Sequence, residues 1–531
     1  MVFLLFTDEF PYFSREHPAP FRPVPRQAGW TPLGVILSKN EGRSSSDGRN
    51  PSDANFRPET PLAYLTQHPS LPGHPAVPGA GLSPAASSTS AVAFTVFHIL
   101  GFWSLLAFLV IAFSRVNEFI PIPYAVKTPI LICLAMGFLT AGLFRAMTSR
   151  PGMLLFMLTF WMCLSTPFSI WRGGSVRLLM ETWLISLLIF FAISGAIHTL
   201  DQVRKAMYAM AAASFLIMLL SFRFGGGERL SFAWGTLGNP NDFAAFLLLG
   251  TPFCFYVFFD QSKLSLLKVA AVVGLLGIFI LSLRSGSRAG FVTILGITLV
   301  MFWKLSLANK VKLMIVGLVA APLLVPFVPS ATWQRLTTFG SAEAEARAEN
   351  PEVGAASTSY YARRRLLTDA IELTVRNPLL GVGPGQFAPA AAGMSHAEGI
   401  TAMWRETHNT YLQLSSECGL PGVALFLALL FYCFRSMTAV RRGAAHRPEL
   451  ASIVTTANCI YMAAAVFAFV ALFGSYGYTM MLPAYAAFAE ALCRTSRPLI
   501  RAASTRSDNS PARELLAPAA PSLAPRTLLR S

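Results

Sequence analysis

The chain has 531 residues, of which 54% are hydrophobic and 13% charged, with mean hydropathy +0.52 and a formal net charge of +16. A water-soluble globule carries about a quarter charged residues, so a soluble enzyme or binding module is excluded as the main class. The positive charge would suit nucleic acid, but most Lys and Arg stand in short links between apolar blocks, the pattern of membrane-protein loops, and no nucleic-acid partner is expected.

Residues 1–90 hold 14 of the 36 prolines together with Ser, Gly and Asn clusters such as SKNEGRSSSDGRNPSD. Such a stretch buries too little apolar surface to offset its ordering entropy, and it is expected to be a disordered tail. From Ala91 apolar blocks long enough to cross roughly 30 Å of hydrocarbon follow one another. Spans are expected near 91–113, 125–144, 152–168, 178–198, 206–222, 243–259, 266–283, 289–307, 311–329, 420–436, 451–472 and 476–493. The fold class is thus an all-α polytopic membrane protein of about 12 transmembrane helices. Residues 91–329 make helices one to nine, 330–419 a large loop between helices nine and ten, 420–493 the last three helices, and 494–531 a basic disordered tail. Seven cysteines (133, 163, 254, 418, 433, 459 and 493) lie in or beside apolar blocks without a CxxC spacing, which reads as buried thiols rather than a disulfide or zinc framework.

Alternate links carry Arg145 and Arg150, Arg204 and Lys205, Lys263 and Lys268, then Lys304, Lys310 and Lys312, and later Arg441, Arg442 and Arg447. Placing that side in the cytoplasm satisfies the positive-inside tendency, leaves both termini inside and turns 330–419 outward. Three outward links are basic all the same: Trp171–Arg177, Phe222–Asp242 and Arg284–Arg288. Guanidinium groups there can grip a diphosphate bidentately, while headgroup contact by snorkelling arginines is the plainer alternative.

The large loop opens on an acidic stretch, Ser341–Glu352, expected to be solvated. Residues 362–376, ARRRLLTDAIELTVR, set Leu366, Ile371 and Leu373 with Leu367 and Ala370 on a helical stripe opposite a charged face, which fits an amphipathic helix on a membrane surface. PLLGVGPGQF at 378–387 has glycines at 381, 383 and 385 for a tight turn close to a ligand. It is no dinucleotide fingerprint, because no strand is expected before it and no helix after it. RETHNTYLQLSSECGLPG at 405–422 then runs into the next span, with His408 at the water–membrane boundary beside Asn409 and Arg405. A histidine there can take a proton from a hydroxyl near neutral pH, or simply cap a helix. Glu417 is a second polar partner or half of a helix-end ion pair.

GNPNDFA (238–244), LRSGSRAG (283–290), NPLLGVGPGQF and HNTYLQLSSECGLPG, in this order and all facing outward, resemble the O-antigen ligase and Wzy-type polysaccharide polymerase family over roughly residues 95–495. The resemblance implies a GT-C-like membrane glycosyltransferase at the periplasmic face of the bacterial inner membrane, inverting, metal-independent and without a cofactor. Its donor would be a glycan on undecaprenyl diphosphate. The acceptor would be a lipid A core for a ligase or a second lipid-linked glycan for a polymerase, with a flippase and a chain-length regulator as partners in the membrane. Carried over, His408 is general base or orienter and Arg288 holds the diphosphate and steadies the leaving group. Arg284, Arg223 or Arg229, and Arg363 (or Arg364 or Arg365 in its place) are further cation positions. Arg405 and Asn409 flank the histidine, and Asn239 and Asn241 shape the site and cap the following helix.

Two other classes compete. Protein-mannosylating enzymes carry acidic residues in the first outer loop, where this chain has Glu118 and no pair. A polysaccharide exporter without catalytic activity would set ionisable residues at the bilayer midplane, whereas the spans here are almost free of them. Failure of the three basic links to converge would favour export.

Overall fold

The computed structural model describes residues 85–508 apart from 121–123, 228, 261–264, 305–309, 311–313, 315–329, 331–350, 400–403 and 446. Among the described residues every regular element is helical, save one bridge between Gly226 and Ser231. That is what a chain of apolar blocks must do where no water satisfies the backbone.

The helices are α1 (Ala85–Ser114), α2 (Lys127–Leu139), α3 (Gly142–Met147), α4 (Arg150–Phe168), α5 (Arg172–Ala196), α6 (Leu200–Phe224), α7 (Pro240–Phe259) and α8 (Ser265–Arg284). They continue with α9 (Arg288–Lys304), α10 (Pro351–Arg376), α11 (Phe387–Ala397), α12 (Thr410–Ala444), α13 (Pro448–Val470) and α14 (Met481–Asp508). Local signals set their ends. Ser149 caps α4 by accepting from Gly152 N, with Pro151 in the first turn. Thr199 and Gln202 make a reciprocal capping box at the start of α6.

Eight of the described helices are long and apolar enough to cross a membrane: the Thr95–Ser114 part of α1, then α4, α5, α6, α7, α8, α12 and α13. α4 shows why burial alone does not explain their composition. It turns Leu155, Leu158 and Met162 inward, yet Met153, Phe156 and Phe160 on its other side are exposed. A helix apolar all round belongs in lipid or in a large core, and here both faces are used. The chain is a multi-pass membrane protein.

Several expectations differ from the structure. The block at 125–144 is broken: α2 stops at Leu139, and Ala141 takes a left-handed conformation before α3. The final helix starts at Met481 rather than 476 and runs through 494 to Asp508, with Met481–Cys493 almost wholly buried against α5, α12 and α13. α1 begins at Ala85, inside the stretch expected to be disordered. The expected ninth span (311–329), save Met314, and residues 341–350 of the acidic stretch lie outside the described residues. Cys163 is exposed, whereas the other six cysteines are buried thiols.

The segment after 350 is helical, and it packs on the protein rather than presenting its stripe to lipid. In α10, Leu366, Ala370 and Leu373 (positions i, i+4 and i+7) are buried with Val382, Phe387, Ala390 and Ala391, while Ile371 is exposed. Residues 378–387 form a turn with positive φ at Gly381, Gly383 and Gly385, and α11 does open from its end. The chain needs glycine there because its own backbone is close. A Cβ on Gly383 would lie 2.2 Å from Ser169 Oγ, and one on Gly381 would lie 2.3 Å from the Glu417 carbonyl carbon. The turn therefore docks on α4 and α12, and the glycines that were expected to approach a ligand approach the protein itself.

Candidate active site

The site is built from four segments meeting at one end of the bundle. The first is the start of α7. Asn239 caps it, its Oδ1 accepting from Asn241 N at 2.9 Å, with Pro240 in the first helical turn. Asn241 points its own Oδ1 outward, where it accepts from Ser287 Oγ at 2.9 Å and from Arg229 Nη2 at 3.3 Å. Arg229 also donates from Nε to the Ser285 carbonyl at 3.2 Å, and Leu230 N donates to the Arg284 carbonyl at 3.2 Å. The links 222–242 and 284–288 are thereby stitched together. Glu118 fixes the first of them from outside the pair, accepting from Thr236 N at 3.1 Å and Thr236 Oγ1 at 2.9 Å while pairing with Arg115.

The second segment is the start of α9, where Arg288 is the first residue and its neighbours Ala289 and Gly290 line a cleft. Asn241, Ala245, Thr293, Val470, Phe473 and Tyr476 complete that cleft. Its polar rim is Asn241, Thr293 and Tyr476, and its apolar wall is Ala245, Val470 and Phe473.

The third segment is 404–410, leading into α12. Asn409 caps α12, its Oδ1 accepting from Tyr411 N and Leu412 N, both at 3.0 Å. His408 precedes the cap at φ 51°, a left-handed conformation that costs a non-glycine residue energy and that histidine tolerates better than most. Ser475 Oγ holds it there by accepting from His408 N at 3.1 Å.

The fourth segment, 471–480, links α13 and α14. Thr410 pins it by donating from Oγ1 to the Gly474 carbonyl at 2.7 Å and accepting from Tyr476 N at 2.9 Å. Tyr476 then donates its hydroxyl to Asp242 Oδ1 at 2.8 Å, which closes the ring of segments onto α7.

Charge is concentrated here. Arg363 of α10 lies within electrostatic reach of Asp242, His408 and Tyr476. Burial, reinforced by Arg363 and Arg405, holds the His408 imidazole down at about 4, so it is neutral at neutral pH. Glu406 moves the opposite way. Burial, with the nearby Asp242 and Glu417 carboxyls, pushes it up to about 8 against a hydrogen bond to Ser475. Tyr476 is raised well above the usual phenol range, by burial first and then by Asp242.

The expected site residues thus fall into groups. Arg229, Asn239 and Asn241 are joined through hydrogen bonds to the 284–288 link that carries Arg288, while Arg363 lies within electrostatic reach of Asp242, Tyr476 and His408, with Arg405 and Asn409 flanking the histidine. Arg223 and Arg284 are exposed at helix ends, Arg223 lying over the Phe224 ring at 5.2 Å. Within the arginine triplet, Arg364 is exposed, Arg365 pairs with Glu398 and Asp369, and Arg363 is the one that bears on His408. The remaining basic link, Trp171–Arg177, meets the turn at 378–387 instead, so two of the three basic links converge and the third does not: Ser175 Oγ donates to the Pro384 carbonyl at 2.8 Å, and Arg177 pairs with Glu181 in an exposed position. Glu417 is a staple rather than an ion-pair partner. Its buried carboxylate accepts from Gly385 N at 3.0 Å, Phe387 N at 3.1 Å and Tyr478 Oη at 2.6 Å, tying that turn to α12.

Asp242, Glu406, Ser475 and Tyr476 went unassigned in the sequence reading. Asp242 and Glu406 stand inside the quoted motifs, where an acid in a helix's first turn and an acid in a loop both have plain explanations. Tyr476 belongs to no motif and sits where a span was expected to begin.

No curated protein matches the chain. Residues 270–427, which contain Arg288, Arg363 and His408, match the family model described as O-Antigen ligase, and the chain carries a domain of the O-antigen ligase family across that segment.

Proposed function

We propose that the protein transfers or polymerises a polyprenyl-diphosphate-linked glycan at the outer face of the bacterial inner membrane. The family implies a glycosyl-transferring enzyme with lipid-linked glycan substrates, and the apolar bundle fits a membrane ligase or polymerase. The observation that carries the finer reading is the joining of Asn241, Arg229 and the 284–288 link to Tyr476 and the His408 segment at one end of the bundle, around a cleft with one polar rim and one apolar wall.

In this reading Arg288 and Arg229 grip the diphosphate, with Arg363, near Asp242 and His408, as a further cation, in the place a divalent cation takes in other glycosyl transfers. The acceptor hydroxyl attacks the anomeric carbon as the bond to the diphosphate breaks, and the leaving oxygen's growing charge faces guanidinium groups aimed in advance. His408, neutral and fixed by Ser475 and the Asn409 cap, donates its ring N–H to that hydroxyl's oxygen and orients it, which leaves the hydroxyl proton free to move elsewhere. The donor is an undecaprenyl-diphosphate glycan, and the acceptor is a lipid A core or a second lipid-linked unit. A flippase supplies the donor, and a chain-length regulator acts with the polymerase form.

Deletion of the gene, followed by mass spectrometry of extracted polyprenyl-linked glycans, tests this. Accumulated single units identify a polymerase. Long lipid-linked chains above a bare acceptor identify a ligase. Unchanged lipid-linked glycans would sink the reading.

A further inference from the structure

The transfer leaves one proton to be placed, and a neutral imidazole facing Arg363 and Arg405 is a poor place to keep it. Resting on the glycan-transfer reading, we propose that Tyr476 and Asp242 form a proton relay, Tyr476 taking the proton of the acceptor hydroxyl and passing its own to Asp242.

Tyr476 is the residue that joins cleft to carboxylate. It lines the cleft beside Asn241 and Gly290, and its hydroxyl donates to Asp242 Oδ1 at 2.8 Å. Its backbone is tied to Thr410 and the 471–480 segment to Gln413, so the ring is held from two sides. Asp242 is 9% exposed, in the first turn of α7. A first-turn aspartate often does no more than offset the helix dipole, but one that is buried against a cleft-lining phenol and faces an arginine has a second use. The charged and titratable groups facing Asp242 come from three elements: Tyr476 of the 471–480 segment, Arg363 of α10 and Glu406 ahead of α12. Arg363 offsets part of the cost of the buried carboxylate before the proton arrives, and burial keeps Glu406 mostly protonated at neutral pH, so it adds little competing charge.

The step balances without a further reactant. The hydroxyl oxygen forms the bond to the anomeric carbon, and the electron pair of the broken bond leaves on the diphosphate oxygen. The hydroxyl proton moves to Tyr476 Oη as the phenol's proton moves to Asp242, so the phenol ends neutral and the carboxylate ends as the acid.

The test uses membranes of a deletion strain carrying each variant, with polyprenyl-linked glycan extracted from that strain as the probe. Asp242→Asn keeps an amide oxygen to accept from Tyr476 and so keeps the packing, but it cannot take a proton. The relay predicts a fall in transfer of about 100-fold or more, within the range of general acid–base catalysis, in kcat rather than KM and with the melting temperature in detergent near wild type. Tyr476→Phe should match it, and Asp242→Glu should recover part of the rate. Asp242→Asn transferring within about threefold of wild type would overturn the relay and leave the glycan-transfer reading standing. If Asp242→Asn does not accumulate in the membrane, Tyr476→Phe, which loses one oxygen, decides by the same margin. No transfer by the wild type removes the parent reading and the relay with it.

Discussion

Replacing Glu417 with alanine should loosen the Gly385–Phe387 end of the turn while the backbone ties of Val382 and Gly383 to α12 remain, and the size of the effect can be worked from the structure. The carboxylate is 3% exposed and takes hydrogen bonds from Gly385 N, Phe387 N and Tyr478 Oη. A buried donor left unpaired costs about 1–3 kcal/mol. Taking about 1.5 kcal/mol for each of the two backbone amides gives about 3 kcal/mol of local stability. At about 1.4 kcal/mol per factor of ten, their hydrogen exchange should quicken by roughly 100-fold. Exchange mass spectrometry in detergent would read this in peptides covering 380–390, with peptides from α8 as an unaffected internal standard. Glu417→Gln should fall between, since one amide oxygen still accepts. The turn also supports Ser175 and, through Val382 and Phe387, the buried face of α10. Transfer activity should therefore fall along with protection, as Arg363 loses its footing. Unchanged exchange at these amides in Glu417→Ala would refute the assignment of Glu417 as the staple.

Other substitutions separate the roles of neighbouring residues. Arg363→Ala should reduce transfer at least about tenfold, whereas Arg365→Ala, which removes a partly exposed tie to Glu398, should cost far less; equal losses in a membrane transfer assay would contradict the distinction. Glu406 binds its proton more tightly folded than unfolded, so its contribution to stability is present below pH 4.5 and is lost as pH rises toward about 8. Thermal melts from pH 5 to 9 should show that alkaline loss in wild type and a flatter curve in Glu406→Gln. His408 is shifted the opposite way for a base, from 6.5 to about 4, so the unfolded chain binds the proton more tightly and stability falls as pH drops from 6.5 toward 4. His408→Gln should blunt that acid loss in the same melts. Gly419 breaks α12 at φ 71°, where a Cβ would lie 1.9 Å from the Leu379 carbonyl oxygen. Gly419→Ala should cost about 2 kcal/mol or more and cut the yield of folded protein on size exclusion.

Much of the helix pattern was legible because lipid demands it: long apolar blocks bounded by basic links give spans wherever they occur. The misses came where packing competes with lipid. α14 carries Glu490 and Arg494, paired with each other; its Met481–Cys493 part is buried among other helices, and the polar, largely exposed residues beyond it hid how far the helix extends. α10 reads as a surface helix from its charge pattern, yet positions i, i+4 and i+7 of any amphipathic helix fit a protein groove as well as a membrane, and the docked turn decides between them. Arg288 and His408 could be nominated because residue type is itself a signal. Tyr476 and Asp242 gave no such sign, since only the fold brings residues 234 positions apart to 2.8 Å.

The most direct measurement is a transfer reaction with the purified full-length protein in lipid nanodiscs, given polyprenyl-diphosphate glycan extracted from the deletion strain and its native acceptor lipid. The account predicts one glycosidic bond formed for each polyprenyl diphosphate released by wild type, and loss of both products in Arg288→Ala and His408→Ala. Release without bond formation, neither product from wild type, or full activity in those two variants would contradict it.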